Sequence, residues 1–195
     1  MRSFKIAAAL MLGASLAACS TMGDDMGAET SVSTPSMVTV GGAPMYANRN
    51  IIQNAVNSPD HKTLVAAVKA ASLVDTLSGT GPFTVFAPTD AAFARLPQST
   101  VQMLLRPENK AMLQSVLTYH VVPGRLTAAD LGQSIRDGGG TARLTTAQGG
   151  VLTARMSGSN IVIVDSKGGV ATVTQADVLQ SNGVIHVTNR VSMSG

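Results

Sequence analysis

The chain has 195 residues, 45% hydrophobic and 13% charged, a balance that suits a packed core and excludes a disordered or supercharged chain. Its length fits one domain with appendages, and 3% aromatics with no Trp argues against a binding surface built on stacked rings. The formal charge of +3 falls to +1 once Arg2 and Lys5 leave with a leader, and the other arginines are dispersed, so nucleic acid is not an expected partner.

Residues 1–5 are a short cationic start, and Ile6 to Ala18 then runs without a charge. As a helix this run reaches about 20 Å, short of a ~30 Å hydrocarbon core, so 1–18 reads as a signal peptide rather than a membrane span. Leu16-Ala17-Ala18 precedes the single cysteine, Cys19, an arrangement that resembles a bacterial lipoprotein signal. The resemblance implies lipidation at Cys19 and placement in the cell envelope. Ser20, in the second position, resembles the outer-membrane sorting class. The mature protein then has no thiol for a disulfide, and its stability must come from packing.

Residues 19–45 carry Ser, Thr, Gly, Met, Ala and Pro with a few acids and no periodicity, and read as a flexible tether. Met22, Met26, Met37 and Met45 fall there; without His or Cys beside them they read as composition rather than as a copper site. The folded domain is expected over 46–192, with 193–195 as a tail.

Ile51, Ile52, Ala55 and Val56 predict a short helical turn. Asp60 is placed as the N-cap of a helix whose stripe is Leu64, Val65, Val68 and Ala71, with His61 solvated at its start. Phe83 to Ala87 predicts a buried strand. Thr89 or Asp90 caps the next helix, with Phe93 pointing inward, and Ser99 with Gln102 matches a capping box. Met112, Leu113, Val116 and Leu117 form another helical stripe, and Tyr119 to Val122 switches to strand. Strands are predicted at 142–146, 151–156, 160–164, 170–175 and 184–188, separated by glycine-bearing turns. Helices first and strands later make an α+β domain.

Three segments are specific. Thr84-Val85-Phe86-Ala87-Pro88-Thr89-Asp90-Ala91-Ala92-Phe93 resembles the first signature box of the fasciclin domain. Leu117-Thr118-Tyr119-His120-Val121-Val122-Pro123-Gly124 resembles its central Tyr-His motif, and Ser181-Asn182-Gly183-Val184-Ile185-His186-Val187-Thr188 its second box. They stand in the family's order and spacing. The resemblance implies a wedge-shaped β-sandwich flanked by several helices, in secreted or surface-anchored proteins of adhesion. It implies no cofactor and no family-wide catalytic residue.

The residues singled out for binding are Tyr119, His120, Asp90 and His186. Each also has a structural reading. Asp90 begins a helix, where a carboxylate meets the positive end of the dipole. Tyr119 and His120, adjacent in a strand, would point to opposite faces, one into the core and one outward or toward a loop. His186 alternates with Ile185 and Val187, which places it on the other sheet face, bonded to a loop. The sequence carries no H-E-x-x-H, G-x-S-x-G, Walker-type or G-x-G-x-x-G motif, so an enzyme is not expected.

The reading is a non-enzymatic adhesion or interaction module, lipid-anchored on the outer-membrane or periplasmic side of the envelope. Its expected partner is a cell-surface or matrix protein or polysaccharide. The alternative is a carrier of an apolar, carotenoid- or lipid-like molecule held around Phe86, Phe93 and Val184.

Overall fold

The computed structural model describes residues 37–194. The expected signal peptide, Cys19 and the expected tether up to residue 36 lie outside the described residues. The chain opens with a hairpin, β1 (Met37–Val40) and β2 (Ala43–Tyr46), then α1 (Ile51–Ala55), α2 (Lys62–Ala70) and α3 (Val74–Ser78). Strand β3 (Phe83–Pro88) leads into α4 (Asp90–Ala94), α5 (Gln98–Leu104), α6 (Lys110–Tyr119) and β4 (Val121–Pro123). After α7 (Ala128–Asp137) come β5 (Thr141–Thr145), β6 (Val151–Ser157), β7 (Asn160–Val164), β8 (Val170–Gln180) and β9 (Gly183–Thr188).

The main sheet has 7 strands in the order β4-β3-β9-β8-β7-β6-β5. Within it β3 and β9 pair in parallel, from Phe83 opposite Gly183 to Pro88 opposite Thr188. Both strands are buried nearly throughout, which is why each reads as an unbroken apolar run. Strand β8 serves two neighbours: its first residues pair with β7, and the remainder pairs with β9 across a bulge between Gln175 and Val178. A bulge bends its strand, and from here β5–β7 turn back over β3 and β4. One hydrogen bond links the two ends of the curled sheet, Ala147 N–H to the Val121 carbonyl at 2.7 Å.

Two clusters result. The first packs α1–α6 and the hairpin against one face of β3 and β9, where Val85, Ala87, Ile185 and Val187 meet Leu64, Leu77, Leu113 and Leu117. The second lies inside the curl, where Phe86, Tyr119 and Val122 meet Leu152 and Ile163, with Leu131 and Ile135 of α7 closing it.

Several expectations are corrected. Residues 37–45, expected as tether, form the hairpin, with Val40 and Met45 only 2% and 3% exposed. Gly41 and Gly42 have φ of 57° and 83°, both positive as a two-residue hairpin turn of type I′ needs; the low-complexity composition around them hid a short alternation. Asp60 does not cap α2 but lies in a 3-10 turn, Pro59–His61. Helix α5 starts at Gln98, so Ser99 lies inside it and the capping box does not form. Helix α7 was not expected, although Thr127 and Asp130 form a reciprocal capping box and Leu131 and Ile135 repeat at i, i+4. Strand β8 continues to Gln180, because the bulge interrupts its alternation.

A buried amide network ties the hairpin and α1 to the sheet. Asn54 Nδ2 donates to the Tyr46 carbonyl at 2.7 Å and to Gln180 Oε1, while Asn54 Oδ1 accepts from Tyr46 N–H at 3.0 Å. Asn182 Oδ1 accepts from Ile51 N–H at 3.0 Å, and its Nδ2 donates to the Leu77 and Gly79 carbonyls, both at 2.8 Å. One amide thus satisfies the start of α1 and the end of α3, groups that a helix cannot pair internally. Asn182→Ala strands all three, and each buried orphan costs about 1–3 kcal/mol. We expect an overall loss of about 3 kcal/mol, read as a lower urea midpoint at unchanged slope.

Candidate functional site

The three signature segments converge as adjacent strands. β3 comes from the first box, β9 from the second, and β4 from the central motif pairs antiparallel with β3, placing Val85 opposite Val121. In the β3–β9 register Phe86 lies beside His186, and their rings stack at 5.6 Å between centroids with 26° between planes.

Tyr119 and His120 are not in a strand: Tyr119 ends α6 and His120 caps it, directly before β4. They do diverge, but neither faces out, at 1% and 3% exposed. The Tyr119 ring enters the second cluster, against Gly150, where an added Cβ would lie 2.7 Å from the ring. Its hydroxyl donates to the Val151 carbonyl at 2.9 Å and accepts from Ser166 N–H at 3.1 Å, joining α6 to β6 and to the β7–β8 turn. His120 Nδ1 donates to the Val116 carbonyl at 2.7 Å, which leaves Nε2 to accept from Ser192 N–H at 2.9 Å. This imidazole fastens the end of the chain to the helix layer.

His186, fully buried, lies as expected opposite the face of Ile185 and Val187 and bonds to a loop. Its Nε2 donates to the Leu126 carbonyl at 2.7 Å, in the loop before α7, and its Nδ1 accepts a long bond from Asp177 N–H at 3.4 Å. Asp177 is the bulge residue of β8, with φ of 57°, and its carboxylate accepts from Ala128 N–H at 2.7 Å at the start of α7. His186 and Asp177 together hold the bend of the sheet to α7.

Asp90 is half-buried. Thr89 takes the capping role on α4, its Oγ1 accepting from Ala92 N–H at 3.3 Å. The Asp90 carboxylate reaches across and accepts from Thr63 N–H at 2.8 Å and Lys62 N–H at 3.3 Å, filling the N-terminus of α2 that Asp60 was expected to serve. It borders an open groove of about 350 Å³ lined also by Phe93, Leu96, Gln98 and Gln102.

His61 is also corrected: it is 3% exposed rather than solvated. Its Nδ1 shares a 2.8 Å bond with Ser58 Oγ, while Nε2 has no hydrogen-bond partner among the described residues. Apolar spacing around it, at Ile51, Ala55 and Leu64, is the signal that would have placed it inside. It lines, with Met45, Val68 and His120, an apolar cavity of about 40 Å³ between the helices and the sheet. At roughly 10–15 Å³ per water that is room for a few waters, far below the several hundred Å³ of a ligand pocket. Phe86 and Phe93 belong to different clusters and Val184 to neither, so the three do not line one chamber.

These groups brace the fold. Tyr119 and His186 face one side of the central strands, His120 and Asp90 the other, and their polar atoms are taken by backbone partners. Among the described residues no three His, Cys, Asp or Glu side chains converge as a metal site.

The Fasciclin domain family matches residues 59–193, spanning all three signature segments. The chain belongs to the fasciclin domain family. It is 46% identical to Protein sll1483 of Synechocystis over 158 residues, 81% of each chain. It is 35% identical to the immunogenic protein MPB70 of Mycobacterium bovis over 144 residues, 71% of this chain and 66% of that one. Against the transforming growth factor-beta-induced protein ig-h3 of Sus scrofa the identity is 37% over 128 residues, 66% of this chain but 17% of that longer protein. The fold resembles the FAS1 domain pair of the insect cell adhesion molecule fasciclin I, with a TM-score of 0.69 at 19% identity, covering 80% of this chain and 57% of the pair. The expected fasciclin-like α+β fold is therefore present.

Burial lowers the pKa of His61, His120 and His186 below the ordinary 6.5, against smaller raising effects of backbone and carboxylate neighbours. For His120 and His186 a second cause is geometric: a second proton would turn the accepting nitrogen against a backbone N–H. Below about pH 6.5 the unfolded chain therefore binds protons that the folded one refuses, and stability falls as pH falls. We expect the thermal midpoint to be flat from pH 8 to about 7 and to drop progressively below 6.5, with His120→Gln removing part of that slope.

Proposed function

We propose that this fasciclin domain is a non-enzymatic adhesion module displayed on the cell envelope, where it recognises a protein or polysaccharide partner. The observation that carries the reading is the use made of the signature residues. The polar groups of Tyr119, His120, Asp90 and His186 are spent on holding strands, helices and loops in place, which leaves the outer surface to do the binding. The names of similar proteins are in keeping with a surface role: the structural neighbour fasciclin I is a cell adhesion molecule, and the relative MPB70 an immunogenic protein. The small interior cavity favours adhesion over carriage of a large apolar molecule.

Lipidation at Cys19 is the proposed anchor, with the segment after it as the tether. Cys19→Ala should leave the protein exported but no longer sedimenting with membranes after a carbonate wash; a variant that still pellets removes the anchor from this reading.

Adhesion itself is tested with the purified full chain on whole cells and envelope polysaccharide. Tyr119→Phe loses the bonds to Val151 and Ser166, so it should lower the unfolding midpoint by several degrees and yet adhere normally below that midpoint. Adhesion abolished at an unchanged midpoint would make Tyr119 a contact residue instead.

A further inference from the structure

The inner face of β5–β8 is apolar: Ala142, Leu144, Leu152, Ala154, Ile163 and Ala171 all belong to the second cluster. The pairing fixes what lies on the opposite face. Thr141 stands opposite Arg155, Arg143 opposite Thr153, and Thr145 opposite Val151. Arg155 continues to Val162 and Thr172, and Thr153 to Val164 and Val170. Arg143, Arg155, Thr141 and Thr145 are exposed, and no carboxylate occupies any position of this face. Val162, between Arg155 and Thr172 on this side, belongs to neither cluster and is only 3% exposed.

We infer that the outer face of β5–β8 is a docking surface for a carboxylate-bearing polysaccharide, gripped by Arg143 and Arg155 and steadied by the threonine hydroxyls around them. The inference rests on the domain being an adhesion module and names its surface and partner class.

Charge complementarity is the first argument. The two guanidiniums stand at diagonal positions of a β-pair, about 7–8 Å apart at the backbone, with threonine at the other two corners. A guanidinium offers a planar fork that matches a carboxylate through two parallel bonds, which an ammonium cannot do. With no acid on the face, neither arginine has a competing carboxylate there. Shape is the second argument. Four strands at about 4.8 Å spacing make a surface roughly 14 Å across with no concavity, suited to an extended polymer rather than a small molecule. Threonine hydroxyls both donate and accept, as sugar hydroxyls do, and β-branched side chains lose little freedom on binding. Composition weighs against the rivals: the face has no aromatic ring on which a neutral sugar would stack, and its apolar members are short valines, of which Val170 is the most exposed at 37%.

The test uses the full chain with polygalacturonate as probe and dextran as its uncharged counterpart. We expect saturable binding to polygalacturonate, weakened by salt, and none to dextran. Replacing Arg143 and Arg155 together by Ala should weaken binding about tenfold, the size expected of two exposed arginine–carboxylate contacts, at an unchanged unfolding midpoint. Replacing both by Lys should restore it only in part. Failure of the natural chain to bind polygalacturonate, equal binding by the Ala variant, or tighter binding to phosphatidylglycerol vesicles than to the polymer would each overturn the inference. The adhesion reading is judged separately: if the Ala variant loses the polymer but still adheres to cells, adhesion stands and this face is not its means. A natural chain that binds the polymer but no cell leaves the face in place and removes the adhesion reading.

Discussion

The parallel pairing of β3 with β9 is the constraint on which the structure depends. These strands are joined by some ninety residues of intervening chain, and both are covered on both faces. One face needs the six helices that precede β4 together with the hairpin, and the other needs the curled half of the sheet with α7. Each layer is present because a central parallel pair cannot be left half in water. Phe86 and His186, neighbours in the pair, stack on the curled side, while Val85, Ile185 and Val187 hold the helical side.

The histidines show how a fold can use side-chain chemistry to hold itself together. Imidazole is the side chain best able to donate from one end and accept at the other, provided that it stays neutral. His120 and His186 are used in this way, each bridging backbone groups far apart in the sequence. Burial keeps them neutral, and neutrality keeps both bonds. A residue pattern that suggests proton transfer in another setting here acts as a two-ended strut.

Much of this was legible in the sequence. The strands of the three signature segments, the helical stripe of α2 and the turns between β5 and β8 follow from periodicity and glycine placement. The placement of His186, opposite Ile185 and Val187, follows from strand alternation alone. What was not legible has physical reasons. The hairpin at 37–46 has only four residues per strand and sits in low-complexity surroundings, and its stability comes from Asn54 and the helical cluster rather than from its own residues. Tyr119 looked like strand because β-branched residues follow it, while the helix runs through Tyr119 and is capped at His120, held by packing of Val116 and Leu117. Asp60 and Asp90 exchanged roles because a helix N-terminus accepts a carboxylate from any direction in space, and only the tertiary arrangement decides which one arrives.

The hairpin also changes what counts as the domain. The segment common to the family begins at residue 59, yet Val40 and Met45 sit in the helical cluster, and α1 supplies the N–H that Asn182 accepts. A fragment cut at the shared boundary would bare the underside of α2 and leave the side-chain oxygens of Gln180 and Asn182 without the donors that Asn54 and Ile51 supply. The indivisible unit that a cell must make, or an engineer must graft, is therefore longer at its front than the part its relatives hold in common.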